Sequence, residues 1–112
     1  MREEIRTKLA QQKVNVQKGE ESYGDAYEEM LRRFLFGYDF MRIGQAVNSK
    51  RWESASMCVR RMSMEADKLG LECFHRQMVG LRQNIAGRNE QEVKNILSLI
   101  IVKRIQLQDV LK

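Results

Sequence analysis

Residues 52–70 read WESASMCVRRMSMEADKLG, the most regular helical pattern in the chain. Apolar residues recur there in steps of three and four residues, which is the spacing of a helix that packs against antiparallel neighbours. The stripe consists of Trp52, Ala55, Val59, Met62, Ala66 and Leu69. Gly70 follows the last apolar position, where a glycine commonly ends a helix. The stretch therefore predicts an all-α protein organised around this helix.

A second apolar stripe precedes this helix. It predicts one long helix from about Tyr23 to Val47, started by Ser22 as the N-cap residue. Gly37 and Gly44 lie seven residues apart and therefore share a face of this helix. Because glycine is costly in a helix interior, the pair suggests a close approach of a neighbouring helix.

Two further helices follow the central one, the first ending at Gly87 and the second beginning after Asn89. Short turns join all four helices, so consecutive helices should be antiparallel neighbours. We therefore expect an antiparallel up-down-up-down four-helix bundle over residues 22–112. Residues 1–21 carry only sparse apolar positions and are expected to form an N-terminal polar helix or arm.

The composition agrees with a single helical domain. The chain has 112 residues and no proline, and because proline breaks helix interiors its absence favours an all-helical fold. Lys and Arg exceed Asp and Glu by 20 to 15, which gives a net charge of +5 with the charges interspersed. This balance mildly favours acidic partners, although an ordinary solvated surface explains it equally well.

Targeting signals are not evident in the sequence. The N-terminal residues lack the apolar core of a signal peptide. The longest apolar run near the C-terminus, Leu99 to Val102, is far shorter than a membrane span. The expected location is therefore cytoplasmic, without a membrane partner.

Catalytic and metal-binding patterns are also missing. Cys58 and Cys73 have no second cysteine pair, and His75 is the single histidine. A zinc site needs about four converging ligands, so no metal is expected, and no cofactor motif is present. With one histidine and no nucleophile motif, hydrolase chemistry is not expected either. The chain is predicted not to be an enzyme.

The residues around Arg60 resemble a known family, the histidine-containing phosphotransfer (HPt) domains. In that family the second bundle helix carries a histidine, then an apolar residue two positions on, lysine at three, glycine at four, and Leu/Ile-Gly at nine and ten. The corresponding positions here are Arg60, Met62, Ser63, Met64, Leu69 and Gly70. The resemblance covers about residues 26–111 and implies the HPt-like four-helix bundle.

The departures from the family pattern concern its chemistry. The family's histidine accepts a phosphoryl group and its lysine neutralises that group, whereas Arg60 and Ser63 stand at these positions. A guanidinium stays protonated and has no free lone pair with which to attack phosphorus. The resemblance therefore implies a degenerate HPt-like domain. Its expected role is a non-catalytic adaptor or inhibitor that binds a response-regulator receiver domain or a histidine kinase domain of a phosphorelay.

A shallow groove beside Arg60 is the expected partner-binding site. The register implied by the resemblance places Arg82 opposite Arg60, and His75 near Asp67. Arginine side chains suit acidic groups on a partner, and an exposed methionine adds an adaptable apolar contact. The alternative is that the two arginines are simply solvated. The full set of expected partner-binding residues is Arg60, Ser63, Met64, Arg82, Ser56, Asp67 and His75.

Two other functions compete with this interpretation. The last helix is apolar more than half-way round, because Leu99, Ile101, Val102 and Ile105 lie off its main stripe. Either the N-terminal segment or a second copy of the chain should cover that face, and the second case predicts a structural, homo-oligomeric module. Weak nucleic-acid binding by the basic residues of the N-terminal segment ranks third, since acidic residues interrupt them.

Overall fold

The computed structural model describes all residues 1–112 and is all-α, with no β-strand. None of its helices combines the length and the apolarity needed to cross a membrane. The molecule measures 42 × 22 × 20 Å along its principal axes. In chain order the α-helices are α1 (Glu3–Gln11), α2 (Val16–Tyr23), α3 (Tyr27–Phe36), α4 (Asp39–Asn48), α5 (Trp52–Lys68), α6 (Glu72–Ala86) and α7 (Glu90–Leu111), with a 3₁₀ turn (Gly24–Ala26) between α2 and α3.

Helix α5 lies at the centre of the packing, between α4 and α6, and α6 packs in turn on α7. The apolar stripe predicted for α5 faces the core, since Ala55, Val59, Met62 and Ala66 are fully buried. Three phenylalanines from α3, α4 and α6 meet edge to face beside this stripe, with ring centroids 5.4–6.0 Å apart. One continuous cluster of 27 buried apolar residues therefore joins the helices.

The single long helix expected from Tyr23 to Val47 is wrong. A 3₁₀ turn precedes α3, and the backbone is extended at Gly37 (φ −76°, ψ 173°), which separates α3 from α4. A Cβ atom at Gly37 would lie 2.7 Å from the carbonyl oxygen of Arg33, so glycine is the residue that fits this break. The close approach expected at Gly44 is also wrong, because no neighbouring atom lies within 4 Å of its Cβ position.

Helix α7 satisfies the backbone groups that this break leaves without a helical partner. The Nε atom of Arg104 donates to the carbonyl oxygen of Leu35 at 2.7 Å, and its second guanidinium nitrogen donates to that of Gly37 at 3.0 Å. Gln108 donates a further hydrogen bond to Leu35 at 2.7 Å. The same guanidinium lies 4.6 Å from the ring centroid of Phe40. Partial burial lowers the pKa of Arg104 from its ordinary value.

Residues 1–21 contain α1 and most of α2 rather than one polar helix. Several of their apolar side chains are part of the buried core. The apolar side chains of the segment that are buried are Ile5, Leu9, Val14 and Val16. Helix α1 packs on α7, and Lys103 of α7 donates to the carbonyl oxygen and Oε1 of Gln12 at 3.0 and 2.9 Å. The segment therefore covers one side of α7, but it leaves Leu99, Ile101, Val102 and Ile105 exposed, so it is not the cover expected for that face.

The N-terminal segment is also fastened to the turn between α5 and α6. The backbone N–H of Asn15 donates to the carbonyl oxygen of Gly70 at 2.9 Å, and its side chain accepts from the backbone N–H of Lys18 and so caps α2. The buried hydroxyl of Tyr27 donates to the carbonyl oxygen of Leu69 at 2.8 Å. Burial raises the pKa of Tyr27 well above its ordinary value. We call Asn15, Tyr27, Leu69 and Gly70 the turn clasp.

Candidate docking surface on helix α5

The side of α5 that points away from the core carries methionines and arginines. Met57 and Met64 are 70% and 58% exposed, and Arg60 and Arg61 lie between them on the same outward side. Methionine and arginine are enriched in protein–protein interfaces, where methionine adapts to irregular apolar contacts. We call these four residues the α5 face. Large apolar side chains beside arginines are typical of a protein-docking surface.

Two arginines beside this surface have no partner within the protein. Arg60 on α5 and Arg82 on α6 are both exposed, and neither side chain makes a hydrogen bond or an ion pair. Arg61, in contrast, is tied to α4, because it donates to Oδ1 of Asp39 at 2.9 Å. Arg60 and Arg82 are therefore free to pair with the acidic groups of a partner.

Ser63 does not line an open groove, as the sequence suggested. It is only 5% exposed, and Nδ1 of His75 lies 3.2 Å from both its hydroxyl oxygen and its carbonyl oxygen. A carbonyl oxygen only accepts, so that contact is a hydrogen bond when Nδ1 carries the proton. Ser63 and His75 thus join α5 to α6 instead of facing a partner.

The carboxylate of Asp67 likewise has a partner within the protein. Its Oδ1 accepts a hydrogen bond from Nζ of Lys18 at 2.7 Å, and this bond lowers the pKa of the Asp67 carboxyl below its ordinary value. His75 lies near enough to Asp67, as expected, for its charge also to lower the pKa of that carboxyl, but the His75 ring forms its hydrogen-bonding contacts with Ser63 and no direct ion pair with Asp67.

Part of the expected site is exposed on the two neighbouring helices α5 and α6. Arg60 and Met64 lie exposed on α5, and the exposed Val79 and Arg82 lie on the neighbouring α6. The half-buried Ser56 lies at the edge between the two helices. The sequence analysis missed Met57 and Arg61. The signal was present for Met57, because it lies seven residues before Met64 and both fall off the apolar stripe of α5.

A second exposed apolar area lies on the outside of α7. The side chains of Leu99, Ile101, Val102 and Ile105 are 60%, 45%, 55% and 50% exposed, although α1, α3, α4 and α6 cover the other sides of the helix. They occupy about two helical turns. The N-terminal segment, which covers α7 elsewhere, leaves this area open.

The reactive side chains do not form a catalytic or metal-binding cluster. The protein contains no group of three or more His, Cys, Asp or Glu residues placed to hold a metal ion. Cys58 and Cys73 are free and partly buried. Burial raises the pKa of the Cys58 thiol above its ordinary value, which keeps it in the less reactive protonated form.

Comparison of this chain with protein-family models, curated proteins and solved structures finds no match. The functional interpretation therefore rests on the residues of the α5 face and their surroundings.

Proposed function

We propose that this chain is a non-catalytic, HPt-like signalling adaptor or inhibitor whose α5 face docks on an acidic surface of a receiver or kinase domain. The observation that carries the proposal is the exposure of Arg60 without any internal partner. It stands on the surface of α5 at the position where the resembled family holds its phosphoryl-accepting histidine. An arginine at that position can still pair with the carboxylates of a partner.

The proposed architecture follows from the order and the packing of the helices. Helices α3 and α4 together form one bundle helix that is broken at Gly37, and α5, α6 and α7 supply the other three. Turns of three residues separate α5 from α6 and α6 from α7. Such short connections favour antiparallel neighbours. In this scheme α1 and α2 are an addition to the four-helix bundle, fastened by the turn clasp.

The chemistry of the site supports docking rather than phosphoryl transfer. The guanidinium of Arg60 does not act as a nucleophile near neutral pH. Ser63 occupies the position of the family's lysine, but it is buried and bonded to His75, so it supplies no positive charge for a phosphoryl group. Arg60 and Ser63 therefore perform neither the phosphoryl-accepting function of the family's histidine nor the neutralising function of its lysine.

The N-terminal segment gives little support to nucleic-acid binding. Binding by counterion release needs basic side chains that are free to meet phosphates. Three of the segment's basic residues instead pair with carboxylates, Arg6 with Glu20, Lys8 with Glu4 and Lys18 with Asp67. A partner protein with acidic side chains fits the exposed methionines and arginines of α5 better.

The docking proposal predicts a specific effect of charge reversal. Arg60→Glu combined with Arg82→Glu is expected to weaken binding to a receiver domain at least tenfold. Loss of an important side chain at the centre of an interface commonly costs about 2 kcal/mol or more, and a tenfold change in affinity corresponds to about 1.4 kcal/mol. Binding is measured by calorimetry with receiver domains from the same genome. Neither side chain makes a hydrogen bond or an ion pair within the protein, so the melting temperature should change little.

The matched control is Arg76→Glu, another exposed and unpaired arginine on α6. This variant is expected to bind like the wild type apart from a weak, salt-sensitive decrease. If no receiver or kinase domain binds the wild-type chain, or if the double variant binds as tightly as the control, the docking proposal is wrong.

A second candidate function is self-association through the exposed area of α7. The charges along this helix favour a second copy as the occupant. If two α7 helices cross antiparallel about Val102, Leu99 of one copy meets Ile105 of the other. The same symmetry brings the Glu90–Lys94 ion pair of each copy close to the Asp109–Lys112 ion pair of the other, so that opposite charges also face each other.

Light scattering distinguishes this second candidate. The wild-type chain is expected to form a dimer that Val102→Glu converts into a monomer, because the substitution places two like charges at the symmetry axis. Gln83→Glu, a change at an exposed polar position of α6, should leave the dimer intact. A wild-type monomer at high protein concentration would rule out self-association.

A further inference from the structure

An open cleft lies between α4 and α5, on the side of α5 away from Arg82. Its volume is about 640 Å³, and the residues that matter for binding are Arg42, Ala46, Arg51, Met57, Cys58 and Arg61. Met57 and Arg61 also belong to the α5 face, so the cleft continues the docking surface towards α4. It offers both apolar contacts and guanidinium groups within a single concave site.

The arginines of the cleft are only partly neutralised. Asp39 pairs with Arg61 at 2.9 Å and with Arg42 at 3.4 Å, so one carboxylate serves two guanidiniums. Arg51 is exposed and has no side-chain partner. The Cys58 thiol adds no compensating negative charge, because its raised pKa keeps it protonated. The cleft therefore retains a net positive charge.

The positive charge extends beyond the cleft to the end of the molecule. An adjoining hollow shares Arg51 with the cleft and adds Lys50 and Arg88, with Glu53 as the single acidic residue of its lining. An extended anionic chain would thus meet basic side chains along its whole path from α5 towards the turn before α7. A compact anion would use only one end of this path.

We infer that the cleft between α4 and α5 binds an acidic peptide segment of the partner that docks on the α5 face. Arg51 and Arg42 pair with carboxylates of the segment, and Met57 and Ala46 contact an apolar side chain between them. A peptide suits the cleft better than a nucleic acid, because no aromatic side chain lines the cleft, and the single aromatic residue of the adjoining hollow, Trp52, is partly buried and cannot stack a series of bases. The inference rests on the proposed docking function.

The two cysteines provide a direct test in the full-length chain. Cys58 lines the cleft, whereas Cys73 lies on α6 outside it and serves as an internal control. The probe is a glutamate-rich peptide that carries a single leucine, and alkylation of each thiol is followed by mass spectrometry. The peptide is expected to slow the alkylation of Cys58 at least threefold and to leave that of Cys73 unchanged.

Variants and alternative probes test whether the protection of Cys58 depends on the arginines of the cleft and on the chemistry of the peptide. Arg42→Gln with Arg51→Gln should abolish the protection of Cys58, while Arg76→Gln should retain it. The double variant keeps its fold, since Arg51 has no side-chain contact and the Arg42 pair is exposed. Absence of protection by the glutamate peptide, equal protection by inorganic phosphate or single-stranded DNA, or protection that persists in the double variant would overturn the inference.

The same variants separate this inference from the docking proposal. If a receiver domain binds the Arg42→Gln, Arg51→Gln chain normally but fails to bind the Arg60→Glu, Arg82→Glu chain, the cleft inference is wrong and docking stands. If the peptide protects Cys58 while reversal at Arg60 and Arg82 leaves receiver binding intact, the cleft site stands and docking through the α5 face is wrong.

Discussion

Replacing Gly70 with alanine is expected to lower the free energy of unfolding by about 3 kcal/mol, from backbone strain together with a steric overlap. Gly70 has a positive φ of 76°, a conformation that costs other L-residues energy. A Cβ atom there would overlap the carbonyl oxygen of Asn15, which is backbone and cannot move aside by rotating a side chain. The variant must therefore displace the N-terminal segment and loosen the turn clasp.

Chemical unfolding followed by circular dichroism measures this change. Gly44→Ala is the matched control, because Gly44 lies inside α4 with no atom within 4 Å of its Cβ position. It should raise the free energy of unfolding by about 0.5–1 kcal/mol, as alanine normally does in a helix. Gly70→Asn separates the two causes, since asparagine tolerates a positive φ but retains the overlap with Asn15.

Gly70→Asn is therefore expected to be nearly as unstable as Gly70→Ala. Amide hydrogen exchange in both variants should increase first in α1 and α2, which depend on the turn clasp, and later in α5. A stability for Gly70→Ala within about 0.5 kcal/mol of the wild type, the usual range for neutral surface changes, would show that Asn15 and Gly70 do not pack as described.

Replacing Arg104 with methionine is expected to lower the free energy of unfolding by about 2–3 kcal/mol, since hydrogen bonds to a charged group contribute roughly 1.5–3 kcal/mol each and Gln108 still serves one acceptor. Methionine fills a similar space but cannot donate to the carbonyl oxygens of Leu35 and Gly37. These two carbonyl oxygens, at the break between α3 and α4, would lose the hydrogen bonds that Arg104 donates. The contact with the Phe40 ring would lose its cationic component.

Thermal and urea unfolding of the Arg104 variant provide the measurement. Arg33→Met is the control, because Arg33 forms an exposed ion pair with Glu29 that should contribute less than about 0.5 kcal/mol. Arg104→Lys is expected to recover only part of the loss, since an ammonium group cannot reach both acceptors and the ring in the same geometry. Equal stability of Arg104→Met and Arg33→Met would contradict this role of Arg104.

The sequence predicted which helices are buried better than it predicted where one helix ends and the next begins. The stripe of α5 was confirmed because apolar spacing reports directly which side of a helix is buried. The break at Gly37 was missed because it depends on Arg104, which follows 67 residues later in the chain and satisfies the freed carbonyl groups. No local pattern around Gly37 contains that information.

The candidate site was predicted only in part, for a similar reason. Arg60 and Met64 lie off the apolar stripe, so their exposure followed from helical periodicity alone. The contacts of Ser63 and His75 depend on how the side chains of two neighbouring helices meet, which the periodicity of a single helix does not determine. The pairing of Asp67 with Lys18 depends on where the N-terminal segment folds back, which the sequence pattern did not predict.

The methionine methyl groups provide the most direct test of docking through the α5 face. The chain has seven methionines, of which Met57 and Met64 are exposed on this face, whereas Met62 and Met78 are fully buried. With isotope-labelled methyl groups, addition of a receiver domain should shift or broaden the Met57 and Met64 signals and leave those of Met62 and Met78 in place. Binding that leaves Met57 and Met64 unchanged, while perturbing the backbone amides of residues 99–105 on α7, would contradict the account.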